Sequence, residues 1–523
     1  MQENVELYSP KVTSSKTEKG FISGRTFGEK SIEYANVDGT FVFEGDIVLA
    51  PSQLVEQSAQ LTQRPSSDAV VSEKDDLWTN KKVFFVLDDN LSETLKKRIK
   101  AAIKHWEANT VLTFEELEKE KGDFIRFKQD KGCWSYVGRI GGEQEIGLES
   151  GCGLGAVIHE IGHAVGLWHT QSREDRNNHI KVLLDNVQDG PPPKGEEDNR
   201  HNFKQHINDG DDVGPYPHDS IMLYGPTGFR KADKTGDTIE SALPIGQRFG
   251  LSTANISIVA KLYGYPENKG VGEFYKTTGH GSLADGINHS GWCRTWSQII
   301  PGNFSNGSSS GLLFYDWARG VGVFYSVSGD GNIKHLKTHK DWRKTWAHII
   351  PGNFGGSGYT DLLFYDPIKG EGEFYTTDGK GNISLLGSTR RSWRKTWAHI
   401  IPGNFGGNGY TDLLFYDWRA REGEFYISDG KGDIDLLSRY TTKHSSWIKI
   451  VPGNFSDNSC TDLLFYDPGK GEGEFLSADG RGGVRQLNKL SGWRKSWEKI
   501  IPLQYGGNGY TDLLFYQASY LVE

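Results

Sequence analysis

Cysteine and methionine are nearly missing from this sequence, with four of the first and two of the second in 523 residues. So few thiols exclude a disulfide-stapled scaffold. No apolar run approaches the roughly 18 residues that a spanning helix needs, so no transmembrane segment is expected. An excess of one charge sign is missing too. The formal net charge is −9 with both signs interleaved, which gives no basic footprint for nucleic acid and no polybasic stretch for an anionic membrane. The first residues, MQENVELYSPKVTSSKTEKG, lack the apolar core of a secretory signal. What is plentiful is glycine, at 66 residues, and aromatics, at 12%. With so little methionine, that composition favours turn-rich β structure over helix bundles.

A chain of this length exceeds one ordinary core and predicts two or three packed units. Residues 1–76 are polar, with one β-like patch, GTFVFEGDIVLA, and read as a leader that packs on something else. From Leu77 the pattern changes to a strand, KVFFVLD, followed by a helix from Ser92 to about Asn109 whose apolar positions Leu95, Ile99, Ala102, Ile103 and Trp106 fall at helical spacing. A second helix is expected through GLGAVIHEIGHAVGL. A third runs through STANISIVAKLYG with Ser252 as its N-cap. This α+β domain spans 77–264.

Residues 265–523 repeat. LLFY occurs at 312–315, 362–365, 413–416, 463–466 and 513–516, a period of about 50 residues that belongs to propeller blades rather than helical repeats. Each unit reads as four short strands divided by Gly/Asn/Asp turns. The array opens on GVGEFY (270–275) and closes on LLFY (513–516), so the last strand can complete the first blade. The expected architecture is multidomain: an α+β unit, then an all-β five-bladed propeller.

The segment that carries chemistry is HEIGHAVGLWH (159–169). His159 and His163 lie one helical turn apart and can face one ion. Glu160, beside the first of them, can accept a proton from a water at that ion. Gly166 lets the helix stop in a left-handed conformation and return His169 as a third ligand. Three imidazoles with a fourth position open describe a catalytic rather than a structural zinc site. Histidines on an amphipathic helix are often plain interior residues, and HExxH alone would not separate the readings. The longer pattern HExxHxxGxxH is the metzincin signature, and SIMLY (220–224) supplies a Met-turn with Met222 beneath the metal.

Together HEIGHAVGLWHTQSREDR (159–176), GCWSYVGRIGGEQEIGLESGC (132–152), IGQRFGLSTANISIVAKLYG (245–264) and the stretch 76–117 resemble the astacin family over residues 76–264. The resemblance implies a zinc endopeptidase acting on proteins or peptides, with one zinc held by His159, His163 and His169 and with Glu160 as general base. It implies that the Tyr224 phenol ligates or approaches zinc at rest and then stabilises the oxyanion. It pairs Cys133 with Cys152, a bridge contributing about 3 kcal/mol and implying a secreted or extracellular destination. Cys293 and Cys460 then remain as unpaired repeat variants.

In the leader, FEGDI (43–47) resembles the pro-segment motif that sets an aspartate on the zinc. Asp46 would fill the open position, and activation would need a cut between about Pro65 and Trp78. Three departures stand out. Thr170 follows the third histidine where the family usually has Glu, Leu223 precedes the tyrosine where it has His, and its second disulfide has no counterpart. Arg230 and Lys231 are the candidates for a basic pocket favouring acidic side chains after the scissile bond.

The repeats resemble propeller lectins, including five-bladed tachylectins, and FG-GAP propellers. In GNFGGNGYTDLL (403–414), Asn404, Asn408 and Asp412 stand where a calcium loop would carry more carboxylates, so calcium sites would be weak if formed at all. Trp342, Trp346, Trp393 and Trp397 could stack sugars, yet their repetition is equally what blade packing demands. The propeller is expected to bind a glycan or a protein surface. The rival expectation is a lectin or adhesin with a vestigial protease domain, against which the intact Glu160 and histidines weigh.

Overall fold

The computed structural model describes residues 17–22, 30–37, 39–55, 77–188, 199–205, 214–275, 287–305, 311–417, 420–441, 449–467, 470–493, 499–503 and 509–516. The expected activation segment therefore lies almost wholly outside the described residues. The chain divides into two compact units. One comprises Met1–Ser241, Ile245–Gly270 and Gly291–Thr295; the other comprises Ala242–Pro244, Val271–Ser290 and Trp296–Glu523.

In the first unit, the leader and the α+β domain share one sheet. Leader strands β1 (Thr17–Ile22), β2 (Lys30–Val37), β3 (Thr40–Phe43), β4 (Ile47–Leu49) and β5 (Leu54–Val55) precede β6 (Lys82–Leu87), β7 (Thr113–Glu116), β8 (Phe124–Gln129), β9 (Cys133–Tyr136) and β10 (Glu143–Leu148). The ten strands run in the order β5-β1-β2-β3-β4-β9-β10-β8-β6-β7. At the seam β4 lies parallel to β9, with Ile47 opposite Ser135 and Val48 opposite Tyr136. The reason is burial: β4 reads IVL and all three residues are buried, as suits a strand covered on both faces. Leader residues Ile22, Ile32, Tyr34, Phe43, Ile47 and Leu49 form a cluster with Val137, and Trp168 packs against it.

The helices follow their sequence signals. α1 (Glu93–Asn109) begins where the Leu95 amide donates to Ser92 Oγ, and it buries the predicted stripe Leu95, Ile99, Ala102, Ile103 and Trp106. Trp106 Nε1 donates to the Ile158 carbonyl at 3.1 Å, which ties α1 to α2 (Leu154–Ala164). α3 (Thr253–Tyr263) is capped by Ser252, with Asn255 completing a capping box. A small pair, β11 (Ile180–Val182) with β12 (Ile239–Ser241), completes this unit's strands among the described residues.

The second unit is all-β. A two-stranded sheet, β13 (Gly270–Phe274) with β14 (Ile287–Trp292), is followed by four antiparallel four-stranded sheets: β15–β18 within Gln298–His339, β19–β22 within His348–Arg390, β23–β26 within His399–Thr441 and β27–β30 within Lys449–Leu490. A final pair, β31 (Lys499–Leu503) and β32 (Asp512–Tyr516), ends the array. Each LLFY segment is a second strand, and Tyr315, Tyr365, Tyr416 and Tyr466 are fully buried. From β15–β18 onward, one latch joins each sheet to the next. Asn303 donates its amide to Thr360 Oγ1 at 2.7 Å, and the Thr360 amide donates to the Asn303 carbonyl at 2.9 Å. The same pair recurs as Asn353/Thr411, Asn404/Thr461 and Asn454/Thr511.

Residues considered for ligands are occupied by this packing. A Cβ on Gly322 or Gly372 would lie 2.2 or 2.3 Å from the ring of Trp342 or Trp393, so those indoles lie flat across a strand. Trp346 and Trp397 are buried. In the loop read for calcium, Asp412 accepts from the amides of Phe405, Gly406 and Ser428. Asn404 bonds the Gly407 amide and the Ser459 carbonyl, and Asn408 bonds the Tyr410 amide and the Ser428 carbonyl. Those polar atoms serve the backbone, so calcium there is unsupported.

Candidate metal centre

Helix α2 carries His159, Glu160 and His163, all buried. Past its end Gly166 adopts φ 102° and its amide donates to the His163 carbonyl at 2.7 Å. This turn, anticipated from the glycine, delivers His169 to the same point. The floor is the segment Ser220–Tyr224. The Thr170 amide donates to the Met222 carbonyl at 3.0 Å, and a Cβ on Gly162 would lie 2.7 Å from Met222 Sδ. Arg248 Nη1 secures that floor by donating to the carbonyls of Ile221 and Leu223 at 3.0 and 3.1 Å.

The three imidazoles turn their Nε2 atoms inward. His159 Nε2 lies 3.1 Å from that of His163 and 3.3 Å from that of His169. Asp46 enters the same point from the leader, with carboxylate oxygens 3.4, 3.6 and 3.2 Å from His159, His163 and His169. Ligand atoms about 2.0–2.1 Å from one tetrahedral ion stand about 3.3 Å apart, so these spacings fit a single cation. The outer nitrogens are all engaged. His159 Nδ1 donates to the Ile221 carbonyl and His163 Nδ1 to the Leu167 carbonyl, both at 2.7 Å, and His169 Nδ1 to Glu44 Oε2 at 3.0 Å. Each Nε2 lone pair is thereby left facing the centre. Asp46 Oδ1 is buried without a hydrogen-bond partner, as expected of an atom meant for a metal. Among the described residues this is the one group of three or more His, Cys, Asp or Glu spaced to hold an ion.

The electrostatics agree. Burial holds the His159 imidazole down at about 3 and lowers His163 as well. Burial also opposes charge on His169, but the carboxylates of Asp46 and Glu44 outweigh it and raise that group to about 9. That side of the site attracts positive charge, a proton or a metal ion. Glu160 is pushed up, by burial first and then by the charge of Asp46, which suits a proton acceptor.

Asp46 reaches the centre through a tight hairpin between β3 and β4. Glu44 and Gly45 take φ values of 46° and 85°, and the Ser135 amide holds the Asp46 carbonyl at 2.9 Å. Tyr224 is fully buried, with its ring 4.7 Å from that of His169. Its hydroxyl donates to the Glu44 carbonyl. Cys133 and Cys152 are bridged, joining the start of β9 to the turn before α2, while Cys293 and Cys460 form no disulfide among the described residues. Thr170 Oγ1 donates to Ser220 Oγ at 3.0 Å. Lys231 Nζ donates to the Asp185 carbonyl, and the backbone of Arg230 bridges to Val187; the described contacts bring neither to the histidines. Sequence reasoning missed Glu44, Ser172, Arg248 and Gly162. The one available signal was Glu44, standing inside FEGDI.

Comparison with known proteins gives the same reading. Residues 70–264 match the family model described as Astacin, a family of peptidases. Zinc metalloproteinase nas-4 of Caenorhabditis elegans is 31% identical over 233 residues, covering 43% of this chain and 69% of that protein. The chain belongs to the astacin family. Protein SpAN of Strongylocentrotus purpuratus is 35% identical over 42% of this chain and 37% of its own length. Blastula protease 10 of Paracentrotus lividus is 34% identical over 42% and 38%. The chain thus spans well under half the length of these two relatives. As in an astacin active site, the donor set of three imidazoles and a carboxylate is that of one zinc ion.

Proposed function

We propose that this chain is a zinc-dependent endopeptidase made as a zymogen. The observation that carries the reading is the tetrahedral spacing of His159, His163, His169 and Asp46 with Glu160 beside it. Zinc bound there would supply Lewis-acid polarisation of the scissile carbonyl and a more acidic water. Glu160, whose Oε2 is buried without a hydrogen-bond partner, takes the proton from the attacking water and passes it to the leaving amine. Tyr224, once released from the Glu44 carbonyl, can donate to the oxyanion. While β4 occupies β9, no peptide can. Leader removal would open that edge to an extended substrate by strand addition, and with Asp46 gone the fourth position would be open.

The domains follow as an inhibitory leader (1–76), the protease (77–264) and a five-bladed propeller (265–523). Ring closure is supported by complementary ends, since β13 and β14 correspond to the last two strands of a repeat and β31 and β32 to the first two. The propeller would tether the enzyme to a glycan or a protein surface, and the bridge between Cys133 and Cys152 suits a secreted location. Among the described residues no helix is long and apolar enough to cross a membrane.

The test is hydrolysis of a quenched fluorescent peptide library by residues 77–523 and by the full chain, each with a Glu160→Ala counterpart and a zinc chelator. Activity of the fragment should vanish on chelation and fall at least about 100-fold in Glu160→Ala, with the full chain silent. A folded, zinc-loaded fragment that cleaves nothing would overturn the enzyme reading and favour a lectin or adhesin with a vestigial protease domain.

A further inference from the structure

The three histidines are not held alike. The outer nitrogens of His159 and His163 donate to carbonyls of the protease's own backbone, Ile221 and Leu167. That of His169 donates to the carboxylate of Glu44, a leader residue, at 3.0 Å. Glu44 is 1% exposed. Its other carboxylate oxygen accepts from Ser172 Oγ and its backbone carbonyl accepts from Tyr224. The positive φ values at Glu44 and Gly45 fold the hairpin so that the carboxylates of residues 44 and 46 reach opposite edges of one imidazole. Asp46 Oδ1 is 3.2 Å from His169 Nε2 while Glu44 Oε2 is 3.0 Å from Nδ1. A leader carboxylate thus faces each nitrogen of His169, Glu44 by a hydrogen bond at Nδ1 and Asp46 across the metal position at Nε2.

We propose that Glu44 is a positioning residue for the third zinc ligand, which makes the leader a metal-retaining element as well as an inhibitor. This rests on the zinc and zymogen reading above. An acceptor on the outer N–H fixes the ring's tautomer and orientation and strengthens Nε2 as a donor, and such partners change metal affinity about 10- to 100-fold. For two ligands the partner is permanent backbone. For the third it departs with the leader, so the chain holds zinc more firmly before activation than after it. The competing account is that Glu44 serves only the hairpin, through Ser172 and Tyr224.

The measurement is the rate at which zinc passes from the uncut full-length chain to a chromophoric chelator, in a Glu160→Ala background so that the chain cannot cut itself. Glu44→Ala should release zinc about 10- to 100-fold faster than its parent. Glu44→Gln, which keeps the shape and an accepting oxygen, should fall between them. Ser172→Ala, which spares the bond to His169, should stay within about threefold of the parent, since its loss touches only the hairpin side. Parent-like release from both Glu44 variants, with leader docking verified by limited proteolysis, would overturn the proposal, as would a loss in Ser172→Ala equal to that in Glu44→Ala. Peptide hydrolysis by the parent chain with Glu160 intact, measured uncut and then after cutting in the segment that follows Val55 and diluting until the leader is lost, separates the two readings. If that chain becomes active on leader loss while the Glu44 variants keep zinc like the parent, the positioning role falls and the zymogen stands; a parent chain that binds no zinc sinks both.

Discussion

Gly162 stands in the interior of the helix that presents two ligands, where glycine costs about 1 kcal/mol relative to alanine. The cost has a cause: a Cβ there would lie 2.7 Å from Met222 Sδ and 3.3 Å from its Cε, the thioether lying directly beneath the histidines' helix. Gly162→Ala should therefore destabilise the protein by about 1–3 kcal/mol despite alanine's better propensity. Met222→Ala should also be destabilising, yet in the double variant the two costs should fall short of their sum by about 0.5–3 kcal/mol, read by denaturant unfolding. Strict additivity would mean that the two residues do not meet. At this scale the ligands were legible, because a metal site demands given residue types at fixed spacing along a helix. Arg248 and Glu44 were not. Arg248 acts on backbone carbonyls, and Glu44 is 125 positions from His169, a pairing that no spacing rule anticipates.

Elements defined by local signals were as readable as the ligands. Ser252 caps α3 where the sequence placed it, and α1 starts within one residue of the expected Ser92, which proves to be its cap, since a cap is decided within four residues. The union of leader and protease in one sheet was hidden, because β4 meets β9 only through tertiary packing and either strand could have been an edge. If the chain is a zymogen as proposed, that union has a consequence for activation. A cut in the segment after Val55 leaves intact the β4–β9 ladder and the leader cluster closed on Val137 and Trp168. Cleaved chain should run as a single species on gel filtration at micromolar concentration and remain silent. Activity should grow on dilution or in mild denaturant, as the leader is lost by mass action. Full activity immediately on cutting, with the leader eluting alone, would show that the covalent link and not the shared sheet holds the inhibitor in place.

Across the whole molecule, the period near 50 residues announced the all-β unit, while the fate of its individual residues stayed hidden: a tryptophan that stacks a sugar and one that covers a glycine read the same in sequence. The decisive question is whether the array is a ring or an open stack. Its latches run from Asn303/Thr360 to Asn454/Thr511, and His289 Nε2 donates to the Gly331 carbonyl at 2.9 Å as His339 does to Gly381 at 2.8 Å. Each end pair thus bonds to its neighbouring sheet as the four-stranded sheets bond to one another. Ending the full-length chain at residue 508 removes β32 and the Thr511 latch. In an open stack, stability is close to a sum of neighbour terms, so this unit's main transition should barely move. In a ring, the same loss strips the half-blade from β13 and β14 at the other end of the sequence, and the transition should fall by roughly 10 °C or more, since several kcal/mol go with a strand and its neighbours. Thr511→Val calibrates the measurement, because it deletes one hydrogen bond worth about 1 kcal/mol. A truncation no costlier than Thr511→Val would open the ring.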